Sequence, residues 1–268
     1  PARYWSAFRE RGMSWGLRFS ALAYRVLGRT GCLVVLSPVV SYFFLTGSEQ
    51  RRASRGYLSR VMALSSPADH PTWFDCWRHF MTFAGGAIDT FAAWSGGLAR
   101  EAVTMADGSQ FEVVKKDRAG ALFIVSHLGN ADLSRALLDE ATRARLTVLV
   151  HTKHAVHYNE MLCRYNPAAA VNTVQVTDIG PETTIALEER IARGEWIVIA
   201  GDRTSVGTDQ RSTRASFLGD SAAFAQGPYI LAALLKCPVY LLFCLRGRKG
   251  YELHIEEFAD RVTLPRRD

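Results

Sequence analysis

Five short apolar runs constrain this chain more than any other feature: ALFIVS (121–126), LTVLVH (146–151), TVQV (173–176), WIVIA (196–200) and VYLLFC (239–244). Amphipathic helix candidates lie between them, near 131–144, 155–165, 182–193 and 224–235. Apolar strands separated by helices specify an α/β fold, a mostly parallel sheet flanked by helices on both faces. YELHIEEF (251–258) alternates and reads as an edge strand. In such sheets ligands bind outside the carboxyl ends of the strands, so function is to be sought just after each run.

The N-terminal quarter has a different character. Residues 1–60 hold ten arginines, no lysine and two acids, Glu10 and Glu49, whereas the formal charge of all 268 residues is +6. This positive charge lies beside the most apolar stretch, GCLVVLSPVVSYFFLT (31–46). A helix of those 16 residues spans roughly 24 Å, short of the ~30 Å of bilayer hydrocarbon. Pro38 also interrupts the run, so we expect it not to span. The apolar part starts late and no small-residue cleavage site precedes a mature start, which argues against a signal peptide. Arg11, Arg18 and Arg25 are seven apart and Arg29 follows four later, one stripe of a helix whose remaining surface carries Trp15, Phe19, Leu22 and Val26. That pattern suits a helix lying in a membrane interface, each arginine contributing ~1 kcal/mol near an anionic surface. The alternative is a core helix with a solvated arginine face. Nucleic acid is a poor partner, because the basic region is apolar rather than interleaved with polar base-reading residues. We therefore divide the chain into a membrane-associating segment, 1–47, and a second domain, 48–268.

Residues 51–64 and 72–94 read as helices, the second with Trp73, Trp77, Phe80, Ala84, Ile88 and Phe91 at three- and four-residue intervals and closed by Gly96-Gly97. Asp107-Gly108 reads as a hairpin turn between AVTM and QFEVVKK. The five cysteines are scattered with no CxxC pair, which indicates a reducing compartment rather than a disulfide framework.

His127 and Asp132 follow the first run, in HLGNAD. Five residues along a continuous helix would set them on different sides. Gly129 permits a turn and Asn130 is a good N-cap, so His127 is expected in a loop and Asp132 in the first helical turn, pointing back at it. An imidazole oriented by a carboxylate is a general-base pair. The plainer alternative is a loop histidine and a first-turn acid favoured by the helix dipole. Asp202 and Arg203 follow WIVIA and suit substrate positioning or an ion pair. Phe217 and Gly219 sit in an apolar loop that could line a lipid chain or simply pack. His151, His154 and His157 straddle a strand end with no second ligand cluster, so no metal is assigned. No GxSxG or GxGxxG is present.

Several blocks resemble one family. VSHLGNADLSRAL (125–137) resembles the HxxxxD/E block of the lysophospholipid acyltransferase superfamily, in its lipid A late-acyltransferase branch. SEQRRASRGYLSRV (48–61) is similar to that branch's arginine-rich segment, EWIVIAGDR (195–203) to its glycine-aspartate block, and FLGDSAAFAQGPYILAALLKCPVYLLF (217–243) to its later loop, helix and strand. The YFFLT, RHFMTFA and GDR spellings look more like a divergent subgroup associated with aryl polyene pigment genes. The resemblance implies acyl transfer from a thioester on acyl carrier protein or CoA to a hydroxyl or amine of a lipid-like acceptor, at the cytoplasmic face of the bacterial inner membrane, with no cofactor beyond the thioester substrate. It implies His127 as general base and Asp132 as its partner, with Asp202 and Arg203 in the third block; Gly129 and Asn130 are expected beside the substrate, backbone N–H groups near Gly129 or a nearby cation stabilising the oxyanion. The family's tyrosine-arginine pair after the second strand is replaced by Val150-His151-Thr152-Lys153, so Lys153 or Arg203 would have to polarise the thioester. A membrane lipid-binding scaffold and a thioesterase-type hydrolase remain as alternatives.

Overall fold

The computed structural model describes residues 14–66, 68–94, 98, 103–117, 119–136, 138–150, 172–175, 180–202, 204, 212–248 and 250–264. The chain divides into two compact units, a helical one (Gly12–Leu98 with Arg214–Ala222) and an α/β one (Ala99–Thr213 and Ala223–Asp268). The helical unit therefore extends well past the 1–47 segment expected.

In the helical unit, α1 (Ser14–Thr46), α2 (Ser48–Ser65) and α3 (Trp73–Trp94) pack together. Pro38 lies inside α1 without ending it; the one kink is at Gly28, with φ 63°. Leu22–Thr46 is long and apolar enough to cross a membrane by length and composition, and Val34, Val35, Tyr42 and Phe43 on it are exposed. The span is longer than expected because Arg29 does not end it: its guanidinium pairs with Asp89 of α3 at 2.9 Å, Asp89 being 2% exposed. The kink and this pair break the predicted arginine stripe between Arg25 and Arg29. Arg11 lies outside the described residues.

The α/β unit holds β1 (Val103–Met105), α4 (Phe111–Asp117), β2 (Ala121–Gly129), α5 (Ala131–Ala136), α6 (Glu140–Ala144), β3 (Leu146–Val150), β4 (Asn172–Gln175), α7 (Pro181–Ala192), β5 (Trp196–Ala200), α8 (Gly227–Leu235), β8 (Val239–Arg246) and β9 (Tyr251–Ala259). The strands form one seven-stranded sheet in the order β1-β9-β8-β2-β5-β3-β4, parallel except for the β8–β9 pair. β9 is thus interior, and β1 is the edge strand on its far side. The other two strands, β6 (Ser212–Phe217) and β7 (Asp220–Ala225), form a separate hairpin.

Two expectations fail here for local reasons. QFEVVKK is not the second arm of a hairpin: Phe111 and Val114, three apart, are both buried, Glu112 opens the segment and Lys115 and Lys116 close it, so it folds as α4. The helix predicted over 131–144 is two short helices, because the Asp139 carboxylate caps α6 by accepting from the Thr142 N–H at 2.7 Å.

Strand alternation gives the sheet two unlike faces. Leu122, Ile124, Ile197, Ile199, Leu149 and Val239 point into a packed core with Leu187 of α7 and Leu231, Ala232 and Leu235 of α8. The intervening residues, Phe123, Val125, Trp196, Val198, Leu146 and Val148, line a cavity of about 90 Å³ on the opposite face, closed in part by Phe111 of α4.

Candidate active site

β2 and β5 are parallel neighbours, with Ala121 opposite Trp196 and Val125 opposite Ala200. Continued past the strand end, that register brings His127 opposite Asp202. The Asp202 carboxylate accepts from the His127 backbone N–H at 2.8 Å and lies 2.9 Å and 3.1 Å from Nδ1. The carboxylate makes Nδ1 the protonated nitrogen. Nε2 has no protein partner among the described residues, and the side chain is 51% exposed. Burial pushes the Asp202 carboxyl up, but hydrogen bonds from the His127 ring and backbone outweigh it and hold the group below its ordinary value. Asp202 is therefore ionised at neutral pH and stays an acceptor for Nδ1–H.

This corrects the expected pair. His127 is not in a loop but on β2 itself, where the β2–β8 register shifts between Val125 and Gly129. The irregularity turns His127 toward β5, so the carboxylate on Nδ1 is Asp202. Asp132 lies in the first turn of α5, exposed, and contributes to the cavity lining with Ala131 and Ser134. The turn between His127 and α5 forms as expected. Gly129 has φ +78°, and a Cβ there would fall 2.2 Å from the Cys244 carbonyl oxygen. Asn130 caps α5, its Oδ1 accepting from the Leu133 N–H at 3.0 Å. The amides of His127, Leu128 and Asn130 already donate to Asp202, Ser126 Oγ and the Cys244 carbonyl. An oxyanion would need a donor other than these three.

The cavity runs along the strands away from this dyad. Val125, at its upper end, precedes His127 by two residues; Trp196, four register steps lower, belongs to its floor with Phe111 and Phe123. Four steps are ~13 Å at about 3.3 Å per residue. The Trp196 ring packs 5.2 Å from Phe123 and 6.3 Å from Phe111. Trp196 is 2% exposed, and its Nε1–H finds no acceptor among the described residues. The sequence reading missed both the Asp202–His127 pairing and this cavity. Their signal was present: one offset of 75 residues pairs Ala121 with Trp196 and His127 with Asp202.

The remaining candidates fall elsewhere. Phe217 is not in a loop but ends β6, half exposed, and only Leu218 (φ 52°) and Gly219 (φ 82°) make the tight turn into β7. That turn belongs to the helical unit, where Asp220 pairs with Arg60 of α2 at 2.6 Å. Lys153, Arg203, His151, His154 and His157 lie outside the described residues. Cys237 and Cys244 are unsuited to nucleophilic work: burial pushes their thiols up to about 11 and about 12.

The site is thus an imidazole–carboxylate pair at the carboxyl edge of a mostly parallel sheet, with an apolar slot beneath it. The family described as bacterial lipid A biosynthesis acyltransferase matches residues 77–260, well over half the chain, and this chain belongs to it. It is thus an acyltransferase of lipid biosynthesis, acting on an acyl donor and a lipid acceptor. A search of curated proteins finds no match to the chain.

Proposed function

We propose that the chain transfers an acyl group from a thioester, on acyl carrier protein or CoA, to a hydroxyl or amine of a lipid-like acceptor, with His127 as general base. The observation that carries this reading is the imidazole whose Nδ1 is held by the Asp202 carboxylate while Nε2 has no partner among the described residues. Nε2 takes the proton as the acceptor oxygen or nitrogen attacks the thioester carbonyl. The C–S bond of the tetrahedral adduct then breaks, and the imidazolium returns its proton to the leaving thiolate. Asp202 fixes the tautomer and favours the transient charge. Asp132, one turn away, stands at the mouth of the slot as a substrate-positioning group together with Gly129 and Asn130. The apolar slot takes the acyl tail. Lys153 or Arg203 supplies the cation beside the thioester carbonyl.

The basic chain suits an acidic carrier, and the apolar α1 suits attachment to the cytoplasmic face of the inner membrane, where a carrier-borne donor is met. The YFFLT, RHFMTFA and GDR spellings favour the divergent, pigment-associated subgroup. His127→Ala should lower turnover by ~10²–10⁴ with the fold intact. The assay follows free thiol and acylated lipid together, by mass spectrometry of membrane extracts. Thiol without acylated lipid would mark a hydrolase, no thiol from the wild type would mark a scaffold, and full activity of the alanine variant would end the proposal.

A further inference from the structure

A second pocket lies within the helical unit, where the C-terminus of α1 meets the N-termini of α2 and α3. It measures about 270 Å³ and is lined by Arg51, Arg52 and Arg55 with Phe44, Thr72 and Trp73 among others; no carboxylate lines it. Arg51 is held in place: its Nη1 donates to the Leu45 carbonyl at 2.6 Å and to the Phe44 carbonyl, both at the end of α1. Its guanidinium lies 5.6 Å from the Phe44 ring centroid and 5.3 Å from that of Trp73. Those contacts leave Nε and Nη2 without partners among the described residues. The side chains of Arg52 and Arg55 likewise have none there, and both residues are exposed. The nearest acids in sequence, Glu49, Asp69 and Asp75, stay out of the lining; Asp75 is taken up by the Thr72 N–H and hydroxyl at 2.9 Å and 2.6 Å. The first turns of two long helices also face the pocket and add positive partial charge, against the negative end of α1, whose Phe44 and Leu45 carbonyls Arg51 already caps.

We infer that this arginine pocket binds the phosphate headgroup of an anionic membrane lipid. The chemistry favours an anion with several acceptor oxygens, because unsatisfied guanidinium donors converge with no counter-charge. The setting selects a lipid over a free phosphate: Tyr42, Phe43, Leu45, Trp73 and Phe74, all exposed, surround this end of the helices. Aromatic residues beside arginines are suited to the headgroup level of a bilayer. The site is separate from the His127–Asp202 chemistry, and its test needs no turnover.

The test is co-sedimentation of the full chain with vesicles of equimolar phosphatidylcholine and phosphatidic acid, against phosphatidylcholine alone. The wild type should favour the acidic vesicles. Arg52→Gln with Arg55→Gln should weaken that binding about thirtyfold, the effect of two arginines at ~1 kcal/mol each. Thermal unfolding should not change, since neither side chain has a partner among the described residues. A charge-matched control, Lys236→Gln with Arg248→Gln on the α/β unit, should bind like the wild type. Equal loss in the control would replace the pocket with a diffuse field and overturn the inference. So would wild-type binding by the Arg52/Arg55 variant. Calorimetric binding of inorganic phosphate at these arginines, with vesicle binding unaffected by their removal, would assign the pocket to a soluble anion instead.

Discussion

The two faces of the central sheet are built from alternate residues of the same strands, yet they do opposite things. On one face Leu122, Ile124, Ile197 and Ile199 pack with Leu187 and Leu231 into a buried core. On the other, Phe123, Val125, Trp196 and Val198 border a cavity and lead up to His127 and Asp202. The difference teaches how such a fold tolerates a void. The packed face supplies enough burial, at about 25 cal/mol per Å² of apolar surface, that the other need not be filled. The period of two then keeps the roles apart, residue by residue.

The largest expected effect breaks the open face at its chemical end. Asp202→Asn should lower kcat by ~10²–10⁴, because the imidazole loses the carboxylate that fixes its tautomer and favours its charged form. Asp132→Asn should act mainly on KM. Steady-state kinetics of the two variants decides between them. A loss of kcat confined to the Asp132 variant would restore the pairing expected from sequence. Next comes the packed face. Leu231→Ala, at a position 1% exposed, should cost about 3 kcal/mol in denaturant unfolding and leave KM unchanged. On the cavity face, Val148→Phe should do the reverse. It should change stability by about 1 kcal/mol or less, while donors with long acyl chains lose activity before short ones. If it unfolds the protein as readily as the Leu231 variant, the faces are not distinct. Trp196→Phe removes a buried N–H that has no acceptor among the described residues, and should raise stability by up to ~1 kcal/mol.

Much of this architecture was legible in the residues. The parallel sheet followed from continuous apolar runs, and α2, α3 and α7 from their periodicity. The capped turn after β2 was visible in Gly129 and Asn130. What stayed hidden depended on tertiary register. His127 and Asp202 are 75 positions apart, and only strand pairing makes them neighbours; local spacing pointed to Asp132 instead. Arg29 looked solvated because its partner, Asp89, is on another helix. Phe111 and Val114 carried a helical spacing that the Asp107-Gly108 turn signal masked. The arginine pocket was invisible for the same reason: Arg51, Arg52 and Arg55 crowd one helix, but what makes them a site is the end of α1 and the start of α3.

The smallest expected effect separates the faces by pH. Asp202 is held below its ordinary value in the folded chain, whereas unfolded it returns to about 3.9. Its stabilising contribution is therefore complete above that unfolded value and fades as the pH falls through the acid range. The stability gap between wild type and the Asp202→Asn variant should be on the order of 1 kcal/mol or less near neutral pH, the pair being partly solvated. It should shrink towards pH ~3. The gap for Leu231→Ala has no titrating group behind it and should stay constant over the same range. Urea unfolding at several pH values measures both. A Leu231 gap that also collapsed in acid would mean that the packed face depends on the dyad, and that the two sides of the sheet are one cooperative structure rather than a scaffold and a site.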